Sequence, residues 1–481
     1  MNRKMLLYIV GTLLVLESVL LLVPALTGII YRETVTWTFF LVSGICLAIG
    51  LPVRMHRPAD TRFYAKEGYV CTALCWILMS LFGAIPLWLS GFYNNFVDAL
   101  FEIVSGFTTT GATVLSNVEE LPHCIILWRS FSHWIGGMGV LVFMLAVLPV
   151  SGESSMHLMR AESPGPQVGK LVPRVRESAA LLYKLYIALT IAQIALMVMF
   201  GMPVFYAINV AFSTAGTGGF GFLNDSCGSF TAIQKILITI FMAAFGVNFN
   251  VYFWLYTGDV KSALHCEEAR VYLGIILTSS LIIGFNILPM YQGAGGAFLD
   301  SFFQVSSIIT TTGFSTADFD RWPELSRTIL VGLMFIGACA GSTGGGIKVS
   351  RIIIMWKTIL KEIAGIIHPR AVRLVRFEGE PVEHEVIRSV NVFVMAYLFL
   401  FAGSLLIVSL DNFDFTTNFA SVACTINNVG PGLAAVGPTQ NFGSFSNLSK
   451  IVYVIDMLAG RLELFPLLVL FNRNTWRGRQ Y

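Results

Sequence analysis

Asp98-Ala-Leu-Phe-Glu-Ile-Val-Ser-Gly-Phe-Thr-Thr-Thr-Gly-Ala-Thr113 returns later in the chain as Asp300-Ser-Phe-Phe-Gln-Val-Ser-Ser-Ile-Ile-Thr-Thr-Thr-Gly-Phe-Ser315. Asp, Phe, Ser and Thr-Thr-Thr-Gly keep their places, with Ala/Ser, Glu/Gln and Ile/Val exchanges between. Each stretch is an apolar segment too short to cross a bilayer, ending in a turn rich in Thr and Gly. Looser copies stand at Ser213-Thr-Ala-Gly-Thr-Gly-Gly-Phe220 and Thr425-Ile-Asn-Asn-Val-Gly-Pro-Gly432. Backbone carbonyls in such turns can replace the water around a dehydrated cation, and four turns in one chain can close a ring. One Thr-Thr-Thr-Gly alone would read as a helix cap. Two near-identical copies with two more in register argue for an ion pathway.

Longer apolar stretches flank these segments, near 5–29, 36–53, 68–91, 124–150, 179–201, 230–257, 270–290, 326–358, 386–410 and 449–471. Each is long enough to span a bilayer, which takes about 20 residues. The short segments at 96–108, 205–215, 298–310 and 415–426 fall between alternate pairs, so the order long–short–long occurs four times. Of the 481 residues, 55% are hydrophobic and 12% charged, and the mean hydropathy is +0.73. Soluble proteins average about 25% charged residues, so the composition places this chain in lipid. Its first apolar run exceeds the roughly 7–15 residues of a signal-peptide core and lacks an Ala-x-Ala site, which predicts a retained transmembrane helix. The net charge of +3 is spread over loops, and no basic run resembles a nucleic-acid footprint. The eight cysteines form no metal pattern and read as packing residues.

Basic residues in short loops set orientation. Arg54, Arg57, Arg62 and Lys66 share one loop; Arg160, Lys170, Arg174 and Arg176 the next on that side. Lys261, Arg270, Lys357, Lys361, Arg370, Arg373, Arg376, Arg473, Arg477 and Arg479 continue it. This predicts both termini in the cytoplasm and short segments that dip in from outside and return. The expected divisions are a transmembrane helix pair at 1–60 and repeats at 61–150, 179–258, 269–358 and 385–472, all running parallel. Glycines 111, 218, 313 and 430 are expected at the equivalent place in the four turns, where glycine permits positive backbone angles.

The stretch 326–358 would be about 50 Å long as one helix, beyond a roughly 30 Å hydrocarbon core. Its middle, Gly337-Ala-Cys-Ala-Gly-Ser-Thr-Gly-Gly-Gly346, is too rich in glycine to stay helical. A phosphate loop fails its context test, since Lys348 does not directly follow the last Gly and no strand precedes it. A close-packed helix interface is the bland reading; a break forming a barrier in the pore is the favoured one. In Asp456-Met-Leu-Ala-Gly-Arg-Leu-Glu-Leu-Phe465, Arg461 can donate to carbonyls freed by that break or pair with Asp456 or Glu463. Arg129 and His133 read either as a proton relay or as an interfacial anchor with tight glycine packing behind. His265-Cys-Glu-Glu268 suits a helix start better than a metal site. No catalytic order of residues emerges, so Ser342 or His133 as the centre of a membrane hydrolase finds no support. A coupled symporter with alternating access suits the broken helices, but those folds usually repeat in inverted orientation.

With these residues assembled, the chain resembles the Trk/Ktr/HKT superfamily of potassium transporters, and within it the TrkH/TrkG-type membrane subunits. The motifs carrying the likeness are Thr108-Thr-Thr-Gly-Ala-Thr113, Ser132-His-Trp-Ile-Gly-Gly-Met-Gly139, Ala215-Gly-Thr-Gly-Gly-Phe220, Thr310-Thr-Thr-Gly-Phe-Ser315, Gly341-Ser-Thr-Gly-Gly-Gly-Ile-Lys348, Asn427-Asn-Val-Gly-Pro-Gly432 and Ala459-Gly-Arg-Leu-Glu463. The resemblance implies an all-α polytopic membrane protein with four M1–P–M2 units around one pore and an N-terminal helix pair. It implies transport of K⁺, coordinated at Thr109, Thr110 and Gly111, at Gly216, Thr217 and Gly218, at Thr311, Thr312 and Gly313, and at Asn428, Val429 and Gly430. It implies a gate of Gly341, Ser342, Thr343, Gly344, Gly345 and Gly346 with Arg461 beside it. It further implies a homodimer in the cytoplasmic membrane of a bacterium, seated on a cytosolic TrkA-like ring that holds the nucleotide, with none on this chain. The second and fourth turns, Gly216-Thr-Gly and Asn428-Val-Gly, depart from Thr-Thr-Gly, so a four-fold symmetric filter is not reproduced.

Overall fold

A computed structural model describes residues 1–56, 58, 64–139, 175–370 and 373–476. Arg57, Arg62, Arg160, Lys170, Arg174, Arg477 and Arg479 of the charge argument lie outside them, as do residues 140–150 of one expected span. Among the described residues the fold is helical, save a hairpin pairing Arg376–Phe377 with Glu380–Pro381. Among the described residues six helices are long and apolar enough to cross a membrane: Arg3–Ile30, Thr36–Met55, Ala65–Leu89, Ala180–Met199, Glu267–Met290 and His384–Asp411. The chain is a multi-pass membrane protein.

Each repeat consists of an outer helix, a short pore helix and an inner helix. They are Ala65–Leu89, Phe96–Phe107 and His123–Gly137, then Val175–Met199, Val204–Ala215 and Ala232–Phe245. The third set is Glu267–Ile287, Ala294–Ile309 and Glu324–Ile336, and the fourth His384–Val408, Phe415–Ile426 and Asn447–Arg461. The pore helices have 12 to 16 residues, about 18–24 Å at the α-helical rise, so they stop inside the hydrocarbon layer. Side-chain caps fix where two of them start: Asn95 accepts the Asp98 N–H at 2.9 Å, and Asp414 that of Thr417 at 3.1 Å.

Packing runs in a circle. The second pore helix lies on the first inner helix, the third on the second, the fourth on the third, and the first on the fourth. Each pore helix is therefore held by its own outer and inner helices and by the preceding repeat's inner helix. The N-terminal pair, Arg3–Leu20 with Leu22–Ile30 and Thr36–Met55, packs outside the circle against the first repeat.

The inner helices depart from expectation. Hydropathy predicts unbroken spans except at 326–358, yet among the described residues the second, third and fourth do not continue straight. The first ends at Gly137. The second stops at Phe245 and resumes as Phe249–Thr257 after a bend of 89°. The third resumes only at Val349–Ile367. The fourth stops at Arg461 and resumes at Phe465, with Glu463 and Leu464 at φ of 56° and 65°. Both halves of the second and fourth remain apolar, so a hydropathy window does not register the break. Just before two of these ends the backbones approach closely: a Cβ on Gly136 would lie 1.8 Å from the Phe107 carbonyl oxygen, and one on Gly460 2.0 Å from that of Ile426.

Candidate functional site

Each pore helix ends in a four-residue turn with the same backbone course. The third-position N–H donates to the carbonyl five residues back in every copy, Thr110 to Ser105, Gly218 to Ser213, Thr312 to Ser307 and Val429 to Cys424, each at 2.8 Å. The second position is left-handed throughout: Thr109, Thr217, Thr311 and Asn428 have φ of 56°, 54°, 58° and 56°. The fourth is a glycine at positive φ: Gly111 (80°), Gly219 (76°), Gly313 (82°) and Gly430 (94°). The expected equivalence of Gly218 with Gly111 is thus off by one residue, and Gly219 holds the place. The letters Thr-Gly match at Thr217-Gly218, but the backbone repeats on the spacing of two positive φ angles. Gly216, in turn, matches Thr108 rather than Thr109.

These glycines close a ring. A Cβ on Gly111 would stand 1.9 Å from the Gly218 carbonyl oxygen, and one on Gly219 1.9 Å from that of Thr312. One on Gly313 would stand 2.2 Å from Val429 O, and one on Gly430 2.5 Å from Thr110 O. Every third-position carbonyl therefore rests against the fourth-position glycine of the preceding copy, and the last returns to the first. All four glycines line one cavity of about 120 Å³ at the mouth of the ring. The four pore helices end at this ring, so the negative ends of their dipoles face it and favour a cation. Asn428 Nδ2 donates to the Thr110 hydroxyl at 3.0 Å, tying the fourth turn to the first.

The glycine-rich interruption of the third inner helix lies against the ring on the side away from the cavity. Gly346 N–H donates to Asn427 O at 3.1 Å, and Gly345 N–H to the Thr311 hydroxyl at 2.6 Å. A Cβ on Gly344 would be 2.8 Å from Thr310 O, so the loop has no room for side chains there. Gly341 O accepts from Phe249 N–H at 3.1 Å, Thr343 Oγ1 donates to Phe245 O at 3.3 Å, and Ser342 Oγ to Cys339 O at 2.6 Å. Of the two partners open to Arg461, carbonyls are the ones it has. Nη1 donates to Thr343 O at 2.8 Å, and Nη2 to Gly137 O at 2.7 Å and to Gly136 O. Asp456 instead accepts from the Ser404 hydroxyl at 2.6 Å, and Glu463 pairs with Arg351.

Against known proteins, residues 36–274 and 271–477 match the family model described as TrkH, cation transport protein. The chain belongs to the TrkH family. It is 37% identical over 481 residues to the Trk system potassium uptake protein TrkH of Salmonella typhimurium, covering 98% of both chains. It is 35% identical to the Trk system potassium uptake protein TrkG of Escherichia coli, covering 97% of each. The crystal structure of the potassium transporter TrkH from Vibrio parahaemolyticus superposes with a TM-score of 0.89 at 33% identity, over 99% of this chain and 100% of that one. As a member of a cation-transport family, the chain is not an enzyme.

Other residues take clear places in this TrkH-family scaffold. His133 is fully buried, so it is not an interfacial anchor; its Nδ1 donates to Gly106 O at 2.7 Å and its Nε2 accepts from Phe220 N–H at 3.3 Å. Both ring nitrogens are thus engaged in holding the first pore helix to the second turn, as a neutral imidazole requires. The glycine packing expected behind it is present: a Cβ on Gly137 would be 2.6 Å from Gly216 Cα. Cys266 and Glu267 begin the third outer helix, as their spacing predicts, and all eight cysteines are buried. Sequence reasoning missed two residues that hold the loop. Glu268 accepts from Ala340 N–H at 2.7 Å within the interruption and Ser350 N–H at 3.0 Å just after it, and from Asn248 Nδ2 at 3.3 Å. Lys348, buried and at φ 87°, donates from Nζ to Gly344 O. The signal for Lys348 was an ionisable side chain bordering a glycine run at membrane depth; Glu268, at the start of the third outer helix, had none.

Proposed function

We propose that this chain carries K⁺ into the cell across the cytoplasmic membrane of a bacterium, with the ring of turns as its ion-coordinating element. The observation that supports it most is the closure of four carbonyl–glycine contacts in one circle beneath a common cavity. The names of the relatives, potassium uptake proteins, supply the ion. Coordination falls to the backbone at Thr109, Thr110 and Gly111, at Thr217, Gly218 and Gly219, at Thr311, Thr312 and Gly313, and at Asn428, Val429 and Gly430, with Gly216 just beneath. Residues 341–346 and Arg461 form the barrier, released when a cytosolic, nucleotide-binding TrkA-like subunit moves the helices that carry it. The nucleotide belongs to that subunit. The chain works as a homodimer with both termini cytoplasmic, its helix pair at 1–60 flanking units at 61–150, 179–258, 269–358 and 385–472.

The test is ⁸⁶Rb⁺ uptake into liposomes holding the purified protein, with K⁺ or Na⁺ as competitor and no proton gradient. Uptake that K⁺ displaces and Na⁺ does not is the expected result. Uptake that appears only under an imposed proton or sodium gradient would replace this reading with a coupled carrier.

A further inference from the structure

We infer that Glu102, clamped by Arg129, is a positioning residue that sets the cation discrimination of the ring by fixing the seam between its first two turns. The inference rests on the transport function proposed above. Glu102 lies within the first pore helix and is fully buried. Its carboxylate accepts from Arg129 Nε at 2.8 Å, from the Thr113 hydroxyl at 2.9 and 3.0 Å, and from Val114 N–H at 3.1 Å. Arg129, on the first inner helix, donates from Nη1 to Gly221 O at 3.3 Å and lies over the Phe220 ring at 4.1 Å.

Thr113 follows Gly111 at the interval by which Gly221 follows Gly219. One ion pair therefore grips the two strands that leave neighbouring ring glycines, on either side of the contact between Gly111 and Gly218 O. Glu102 has no path to a passing ion, so its action on the ring is through these hydrogen bonds. Arg129 borders the cavity, and its charge there is offset only by Glu102 among the groups bonded to it.

The other seams are held differently. With the ring glycines aligned, the place of Glu102 is taken by Val210, Gln304 and Ser421. Gln304 reaches only Ala317 O, at 3.4 Å, and its Oε1 has no partner. Ser421 donates to Asn418 O at 2.9 Å, within its own helix, and accepts from the neutral Tyr453 hydroxyl of the fourth inner helix at 2.8 Å. Among the described residues a charged clamp directly behind a turn occurs in the first repeat alone. Carbonyl spacing and field are what a ring of this kind uses to tell cations apart, and a charge-assisted, multiply bonded carboxylate is the stiffest of the four supports.

The experiment measures ⁸⁶Rb⁺ uptake in liposomes, with K⁺ and Na⁺ as competitors, for the unaltered protein, Glu102→Gln, Glu102→Asp and the double variant Glu102→Gln/Arg129→Gln. Unaltered protein that takes up ⁸⁶Rb⁺ displaceable by K⁺ establishes the transport function; if it does not, that function fails and not the clamp. Given that control, Glu102→Gln is expected to lower the K⁺-over-Na⁺ preference about tenfold, the scale of losing one charge-assisted bond. Maximal uptake should stay within about threefold, because the conducting backbone is untouched. Glu102→Asp, which keeps the charge but withdraws it by one methylene, should lose part of the preference. The double variant restores neutrality without the bonds and should remain unselective. Unchanged preference in the three variants, or full recovery in the double variant, would overturn the clamp, the latter in favour of simple charge balance.

Discussion

At the ring the chain repeats one backbone course four times with different side chains: second positions are Thr, Thr, Thr and Asn, third positions Thr, Gly, Thr and Val. At the proposed barrier beneath, the loop of residues 337–346 is held by side chains: Arg461 from the fourth inner helix and Glu268 from the third outer helix, the latter braced by Asn248 beside the second. A structure made of carbonyls and glycine seats tolerates side-chain exchange but no added Cβ. A structure pinned by single side chains has the opposite sensitivities. The difference teaches where each element's specification resides, in φ angles for the ring and in a few long polar side chains for the barrier.

The contrast breaks most readily at the ring glycines. Gly219→Ala places a Cβ 1.9 Å from Thr312 O at a φ of 76°, and ⁸⁶Rb⁺ uptake should fall by about a hundredfold or more, because strain and clash both act on a carbonyl. Gly430→Ala should match it despite its different neighbours, whereas Gly274→Ala, with nothing within 4 Å, is the control. Uptake retained in Gly219→Ala would mean the ring is not the pathway. Arg461→Gln acts the other way: with its guanidinium bonds gone, basal uptake without a cytosolic partner should rise about tenfold, the effect of one or two buried charged bonds. A fall comparable to the glycine variants would show that Arg461 supports the ring rather than the barrier. Glu268→Gln keeps the shape and loses the charge, so a smaller rise of about threefold is expected in the same assay. Thr312→Val should stay within about twofold, since Val429 already occupies that place in the fourth turn and the carbonyl is unaltered. A larger change would assign the hydroxyl a coordinating role.

Much of this was legible beforehand. Thr108–Gly111 and Thr310–Gly313 announce the turns because the same four letters recur behind matching Asp, Phe and Ser positions. The second turn was misplaced by one residue because its three glycines let the letters slide, while the backbone keys on left-handed positions that Thr217 does not advertise. The breaks at Phe245 and Arg461 were hidden by apolar flanks. The partner of Arg461 stayed open because carbonyl acceptors have no letter of their own. Glu268 was passed over as the start of a helix, which it also is.

The ring's last seat joins Gly430 to Thr110 O, across most of the chain. Until Gly430 has emerged from the ribosome, the nascent chain has three turns at most and no closed ring. Arg461, whose bonds pin the barrier, follows Gly430 by 31 residues. On the proposed function, conduit and stopper are therefore completed close together in synthesis, the ring first and its pin 31 residues later.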